Sequence, residues 1–244
     1  MVDLAYSDPD LAELYDLLNP WGPGDDFYLG LVMSADAVLD IGCGTGTLLR
    51  RAREAGHRGR LCGLDPAGAM LDRARTRSDV EWTLGDLSSA GWTQEFDLIV
   101  MTGHAFQVLV RNEEVRTALS AIRSALTNGG RFAFETRNPL VRPWERWTPD
   151  RAIEVTDVAG AVVRVEHEVE TPVEGDIVRF TETFTHTGWN SPRVSQSTLR
   201  FLDVESLSAF LTDAGLVIED QFGDWNRGPL TGTSPEIITI ARRA

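Results

Sequence analysis

Lysine is absent from all 244 residues; the 23 basic side chains are all arginine, set against 37 acidic ones for a net charge of −14. A chain without lysine forms no Schiff base of the pyridoxal or aldolase kind and completes no Gly-x-x-x-x-Gly-Lys phosphate loop. Cysteine is nearly as scarce: Cys43 and Cys62 stand alone, with no Cys-x-x-Cys spacing, which argues against a disulfide framework, and no metal site is expected. No apolar run reaches the ~20 residues a membrane helix needs. The first ten residues, MVDLAYSDPD, also lack the basic start and apolar run of a signal peptide. The expectation is a cytoplasmic protein without a membrane partner. A shortage of cations also weighs against a nucleic-acid partner, because affinity for a polyanion comes from basic groups that displace counterions. The arginines between Arg50 and Arg77 fall on helix surfaces and ends and read as a solvated face.

What is present is an ordinary globular composition, 42% hydrophobic and 25% charged. Short apolar runs at 37–41, 61–64, 80–84, 96–102 and 131–136 read as strands buried on both faces, as in a parallel sheet. Helical spacing separates them. In 113–126, Val115, Ala118, Leu119, Ile122, Ala125 and Leu126 form one apolar stripe; Asn112 is placed to cap it, and Asn128-Gly129-Gly130 to end it. Two helices, from Pro9 and from about Asp25, precede the first strand. From residue 139 the period changes to two, and 162–170, 177–187 and 194–202 read as an antiparallel meander. Helix-then-strand rhythm returns afterwards. The expected organisation is therefore a helical cap (1–34), an α/β core (35–138 and 203–244) and an antiparallel β insertion (139–202) that forms a substrate lid.

The stretch Val38-Leu39-Asp40-Ile41-Gly42-Cys43-Gly44-Thr45-Gly46-Thr47-Leu48 runs an apolar strand into three alternate glycines and a helix, where backbone N–H groups approach a ligand closely. A dinucleotide site uses Gly-x-Gly-x-x-Gly, whereas Thr47 stands where that third glycine belongs. Asp40 would repel a pyrophosphate and attract a ligand carrying an ammonium and a sulfonium. This pattern resembles the glycine-rich motif of class I S-adenosylmethionine-dependent methyltransferases. Further residues fit the resemblance: Asp65 lies 19 residues after Gly46, Gly85-Asp86-Leu87 follows the third strand, and Phe96-Asp97-Leu98-Ile99-Val100 is similar to the family's fourth strand.

The resemblance implies a doubly wound, mostly parallel seven-stranded sheet, its last strand antiparallel, and S-adenosylmethionine as cofactor. It assigns Asp65 to the ribose hydroxyls, Asp86 and Leu87 to the adenine, and Tyr15, followed by Asp16, to the methionine end. Gly42, Cys43, Gly44, Gly46, Pro66, Met70, Gly85, Met101 and Thr102 complete the implied cofactor contacts. Cys43 reads as a small loop residue and not as a nucleophile.

An acceptor in such a sheet meets residues after the fourth and fifth strands. His104 is placed to take a proton there, or only to pack beside the cofactor. Glu135 and Arg137 are candidates to orient a polar substrate, with Trp144, Arg179 and Arg200 of the insertion as a pocket wall or as a solvated sheet face. The Asn/Asp-Pro-Pro-Tyr and Pro-Cys motifs of nucleic-acid methylation are missing. The expected function is methyl transfer to N or O of a small molecule. A non-catalytic adenosylmethionine-binding protein and another transferase using that cofactor are the alternatives.

Overall fold

Five apolar runs become parallel strands: β1 (Ala37–Ile41), β2 (Arg60–Asp65), β3 (Glu81–Leu84), β4 (Phe96–Met101) and β5 (Leu126–Arg137). The computed structural model describes residues 2–87, 89 and 91–244. β10 (Leu216–Phe222) and the antiparallel β11 (Glu236–Arg243) complete a seven-stranded sheet in the order β10-β11-β5-β4-β1-β2-β3. That is the expected doubly wound architecture. The central strands β1, β2 and β4 are mostly apolar because both faces are covered, whereas the edge strand β3 is partly exposed. Leu39, Ile99 and Phe132 pack against α6 (Asn112–Ala125) and α7 (Val204–Asp213). Their neighbours Val38, Val100 and Ala133 pack on the other side against α3 (Pro23–Val32) and α4 (Thr47–Glu54). α5 (Gly68–Ala74) lies between β2 and β3 in the chain.

The capping of α6 differs by one residue from the sequence expectation. Arg111, not Asn112, is the N-cap, and its N–H donates to the Glu114 carboxylate at 2.9 Å. The helix also stops earlier than its apolar stripe, because Leu126 turns extended and already pairs with Phe96. Gly129, at φ +77°, therefore sits in a bulge of β5 and not in a terminating loop: the pairing jumps from Phe96–Leu126 to Leu98–Arg131.

The insertion forms its own antiparallel sheet, β6 (Ile153–Thr156), β7 (Val162–Val169), β8 (Ile177–His186) and β9 (Arg193–Arg200). β6 was not apparent from the sequence. Val163, Val165 and Phe184 pack on Leu11 and Leu14 of α2 (Pro9–Leu18) and on Ala5 of α1 (Leu4–Ser7). Polar contacts reinforce that joint: Ala5 N–H donates to Ser195 Oγ (3.0 Å), Ser197 Oγ donates to Asp3 (2.7 Å), and Arg193 is paired with Asp8 and Asp10. Asp8 also caps α2 through the Asp10 and Leu11 N–H groups. Among the described residues, no helix is long and apolar enough to cross a membrane.

Candidate functional site

The sequence-marked residues converge at the carboxyl ends of β1, β2, β4 and β5. Gly42, Gly44 and Gly46 all adopt positive φ (+72°, +54° and +74°), a geometry that costs an L side chain about 1 kcal/mol each. A methyl group on Gly46 would also stand 2.8 Å from the Trp82 ring. The loop is tied to its neighbour strand: Gly42 N–H donates to the Leu64 carbonyl (2.8 Å) and Gly44 N–H to Asp65 Oδ2 (2.8 Å). The other Asp65 oxygen accepts from Ala67 N–H at 2.8 Å. Asp65 thus holds its own turn and the glycine loop, and each oxygen keeps a lone pair for a further donor.

Asp40 lies one layer below, 1% exposed, and its Oδ1 finds no hydrogen-bond partner among the described residues. Burial, then the charges of Asp65 and Glu135, raise its pKa to about 8. A buried carboxylate left without a donor beside a cradle of backbone N–H groups fits a cationic ligand. The Cys43 thiol is pushed well up by burial and by Asp40 and Asp65, which leaves it protonated and poorly nucleophilic.

Tyr15 stands across this cradle. Its ring would lie 3.9 Å from a methyl on Gly44, and its hydroxyl 4.0 Å from one on Gly103, so it spans the loops after β1 and β4. Burial, then Asp16 and Asp65, raises Tyr15 to about 12. Asp16 pins the helix in place by accepting from Thr45 Oγ1 (2.5 Å) and Arg50 (3.0 Å). Gly85 N–H donates to the Asp65 carbonyl (3.0 Å), and Asp86 closes a turn with Ser89 (Ser89 Oγ to Asp86 O, 2.8 Å). Leu87 packs partly on the core, Met101 and Met70 are buried, Thr102 is half-buried, and Pro66 is exposed at the start of the β2–α5 turn.

After β4, His104 takes a left-handed conformation (φ +63°), which a non-glycine residue holds only when its surroundings enforce it. Glu135 supplies that: Oε1 accepts the His104 N–H (2.7 Å) and Oε2 accepts from the Tyr28 hydroxyl. Both oxygens are committed and the side chain is 2% exposed. Glu135 therefore positions the loop after β4, from a place closed to solvent. His104 Nε2 faces Glu236 Oε2 at 3.0 Å. Arg137 places its guanidinium over Trp147 (5.3 Å) and donates to Gln107 Oε1 (3.1 Å).

Three expected acceptor contacts lie elsewhere. Trp144 is buried against Val178 and Phe201 as packing at the base of the insertion. Arg179 is exposed on the face of β8 opposite Val178 and Phe184, as strand alternation requires. Arg200 is bound to Asp176 (2.7 Å) and lies over the Phe210 ring (5.6 Å), bracing the insertion on α7.

Glu236, Gln107, Tyr6 and Glu182 join the site without having been expected there. Glu182 shares the inward face of β8 with Phe180 and Phe184 and pairs with His167 at 3.2 Å. Its signal was legible, a carboxylate breaking an otherwise apolar alternation. Tyr6 is 37% exposed, and its hydroxyl feels the charges of Tyr15, Glu182 and Arg137, groups of the helical cap, the insertion and the end of β5. A separate hollow of about 540 Å³, lined by Gln94, Arg116, Arg123 and Phe210, lies at the amino ends of the strands, away from these groups.

Residues 38–130 match the family model described as a methyltransferase domain. A 2-phytyl-1,4-naphtoquinone methyltransferase of Thermosynechococcus vestitus is 35% identical over 138 residues, 51% of this chain, which spans about three fifths (60%) of that relative's length. A dTDP-4-amino-2,3,4,6-tetradeoxy-D-glucose N,N-dimethyltransferase of Saccharopolyspora spinosa is 26% identical over 231 residues, 86% of this chain and 87% of the relative. Among solved structures, an S-adenosylmethionine-bound amino pentose methyltransferase from Micromonospora echinaspora, involved in calicheamicin biosynthesis, superposes with a TM-score of 0.69. Its sequence is 23% identical, over 95% of this chain and 96% of its own, a likeness of fold.

Proposed function

We propose that the chain, whose residues 38–130 match a methyltransferase domain, is a class I S-adenosylmethionine-dependent methyltransferase that methylates the amino group of a small polar molecule. The observation that carries this reading is the placement of His104, with its imidazole paired to Glu236 at the carboxyl ends of the strands. An amine arrives as an ammonium. It must lose one proton to attack, and the Glu236 carboxylate beside His104 both attracts the cation and lowers the cost of holding it.

The fit to the cofactor rests on this chain's own groups. Asp40, buried and short of a donor, would face positive charge; Asp65 keeps acceptor lone pairs for a diol; Gly42 to Gly46 give a backbone surface free of side chains; Tyr15 closes the open side. Gly85, Asp86 and Leu87 would border the base. When bound, the cofactor supplies an electrophilic methyl group on a sulfonium, already a good leaving group. What remains for the protein is alignment and one proton transfer.

His104 is assigned as the proton acceptor, with Glu236 fixing the imidazole so that one nitrogen stays available. The cap (1–34) and the insertion (139–202), joined through Ala5–Ser195 and Arg193–Asp8, form the cover of a core made of 35–138 and 203–244. The amino-sugar relative, matched over most of both chains, favours nitrogen over oxygen as acceptor.

The reading is tested by transfer of labelled methyl from S-adenosylmethionine to paired amines and alcohols of matched size. Labelled N-methyl product is expected. With an accepted amine, His104→Gln should lower kcat about 10²-fold at neutral pH, the usual contribution of a positioned base. A variant that kept full turnover from pH 6 to 9 would remove His104 from that role. Binding of S-adenosylmethionine with no transfer to any amine or alcohol would favour a binding protein instead.

A further inference from the structure

Arg137 ends β5 with its guanidinium largely withdrawn from solvent, so its partners decide how its charge is met. Arg50, Arg60, Arg164, Arg193 and Arg200 each have a carboxylate within 4 Å. Arg137 has none among the described residues; the one hydrogen bond of its guanidinium goes to the neutral amide oxygen of Gln107. Gln107 is itself 1% exposed and fixed by its Nε2 donating to the Arg200 carbonyl (2.9 Å), so the guanidinium sits on a rigid mount. Trp147 supports its face. The carboxylate best placed to neutralise it, Glu236, lies directly opposite in the β5–β11 register but gives its Oε2 to His104. An arginine cannot shed its charge, and a largely enclosed cation with unused donors is costly until an anion meets it.

The groups whose charge Arg137 feels are Glu236, Glu135, Tyr6 and Glu182, from the strand ends, the cap and the insertion, and Glu236 is also the partner of His104. Building on the amine-methylation reading above, we propose that Arg137 anchors an oxyanion of the acceptor, so that the substrate class is a small amine that also carries a carboxylate or a phosphoester. The planar guanidinium presents paired N–H groups that match two oxygens of either anion. The ammonium end meets Glu236 and Glu182. A zwitterionic or amino-phosphate molecule therefore finds each of its charges opposed, whereas a simple amine leaves the guanidinium with no anion in hydrogen-bond contact.

Two arms test this separately from the methylation reading. In the first, protein loaded with S-adenosylhomocysteine is titrated with propionate and with phenyl phosphate, neither of which has an amine, and tryptophan fluorescence reports on Trp147. A saturable change is expected, weakened at least about tenfold in Arg137→Gln and partly restored in Arg137→Lys; the stronger probe identifies carboxylate or phosphate as the preferred anion. S-adenosylhomocysteine affinity certifies that each variant is folded. If the glutamine variant fails that check, the lysine variant and the wild type carry the comparison.

In the second arm, labelled methyl transfer is measured for 3-aminopropanol, β-alanine and O-phosphoethanolamine. The anionic amines should exceed the neutral one in kcat/KM by about 30-fold or more, and Arg137→Gln should raise KM for the anionic members. Equal use of neutral and anionic amines, or a preference that survives Arg137→Gln, would overturn the anchor. So would the absence of Arg137-dependent anion binding. Arg137-dependent anion binding with no amine methylated leaves the anchor standing and overturns the amine reading alone.

Discussion

Asp40→Asn is expected to make the cofactor-free protein more stable while weakening S-adenosylmethionine binding by about 10²-fold or more, the loss of a buried charge partner. The cause is the position of Asp40 at the end of β1, 1% exposed with one oxygen lacking a donor. Burial raises its pKa from 3.8 to about 8. Between those values the folded protein keeps a proton that the unfolded chain has released, so stability falls as pH rises from about 4 to about 8 and the loss is complete above that. Asparagine carries no charge to desolvate. Its advantage should grow across the same window and level off at about 2–4 kcal/mol, less than the full shift implies because the amide brings an unpaired N–H of its own. Denaturant unfolding at pH 5 and pH 8.5 measures this. Equal stability of the two proteins at pH 8.5 would show that Asp40 is not a buried, strained carboxylate.

Gly46→Ala is expected to damage both stability and cofactor binding severely. The residue stands at φ +74°, and the added carbon would lie 2.8 Å from Trp82 Cζ3 and closer still to Cη2, with Ala74 at 3.1 Å on another side. Trp82 does not move away easily, because its indole N–H donates to the Arg77 carbonyl (2.9 Å) and its ring packs by Cys43, Leu71 and Ala74. The loop must therefore give, and with it the register of the Gly44 N–H on Asp65. A loss of about 3 kcal/mol or more in stability is expected, together with cofactor affinity reduced beyond detection at micromolar protein. Thermal unfolding and calorimetry report the two effects. A variant that kept wild-type affinity would show that the cradle tolerates distortion and that cofactor binding does not depend on the glycine geometry.

Much of the core was legible because its signals are local. A strand buried on both faces is apolar without alternation, a helix carries its stripe, and the Asp40-to-Gly46 stretch lies within one turn of chain. The cofactor cradle followed from those residues, since Gly44 and Asp65 meet wherever β1 and β2 pair in parallel. The acceptor side was less legible for the opposite reason. Glu236 meets His104 across 132 residues and Gln107 meets Arg137 across 30, pairings set by β11 folding back on β5 and by the turn after β4. Residue type alone left Arg179, Arg200 and Trp144 open between a pocket wall and a solvated sheet face; Arg179 lies on the exposed face of β8, Arg200 reaches from β9 over Phe210 of α7, and Trp144 packs in the base of the insertion. Glu135 was a candidate to orient a polar substrate, and its actual partners, Tyr28 and the His104 N–H, come from α3 and from the turn after β4, far off in the chain. The short α1 was invisible because its anchor is Ser195, in the insertion.

Calorimetric titration with S-adenosylmethionine at pH 7, repeated in buffers of different ionisation enthalpy, tests the assignment of the strand-end cradle most directly. With Asp40 near pKa 8 before binding and ionised against a cation afterwards, one cofactor should bind per chain and release about 0.9 proton; Asp40→Asn should abolish the release and Asp65→Ala should weaken binding. Absence of binding, or binding with no proton released and no dependence on Asp40 or Asp65, would contradict it.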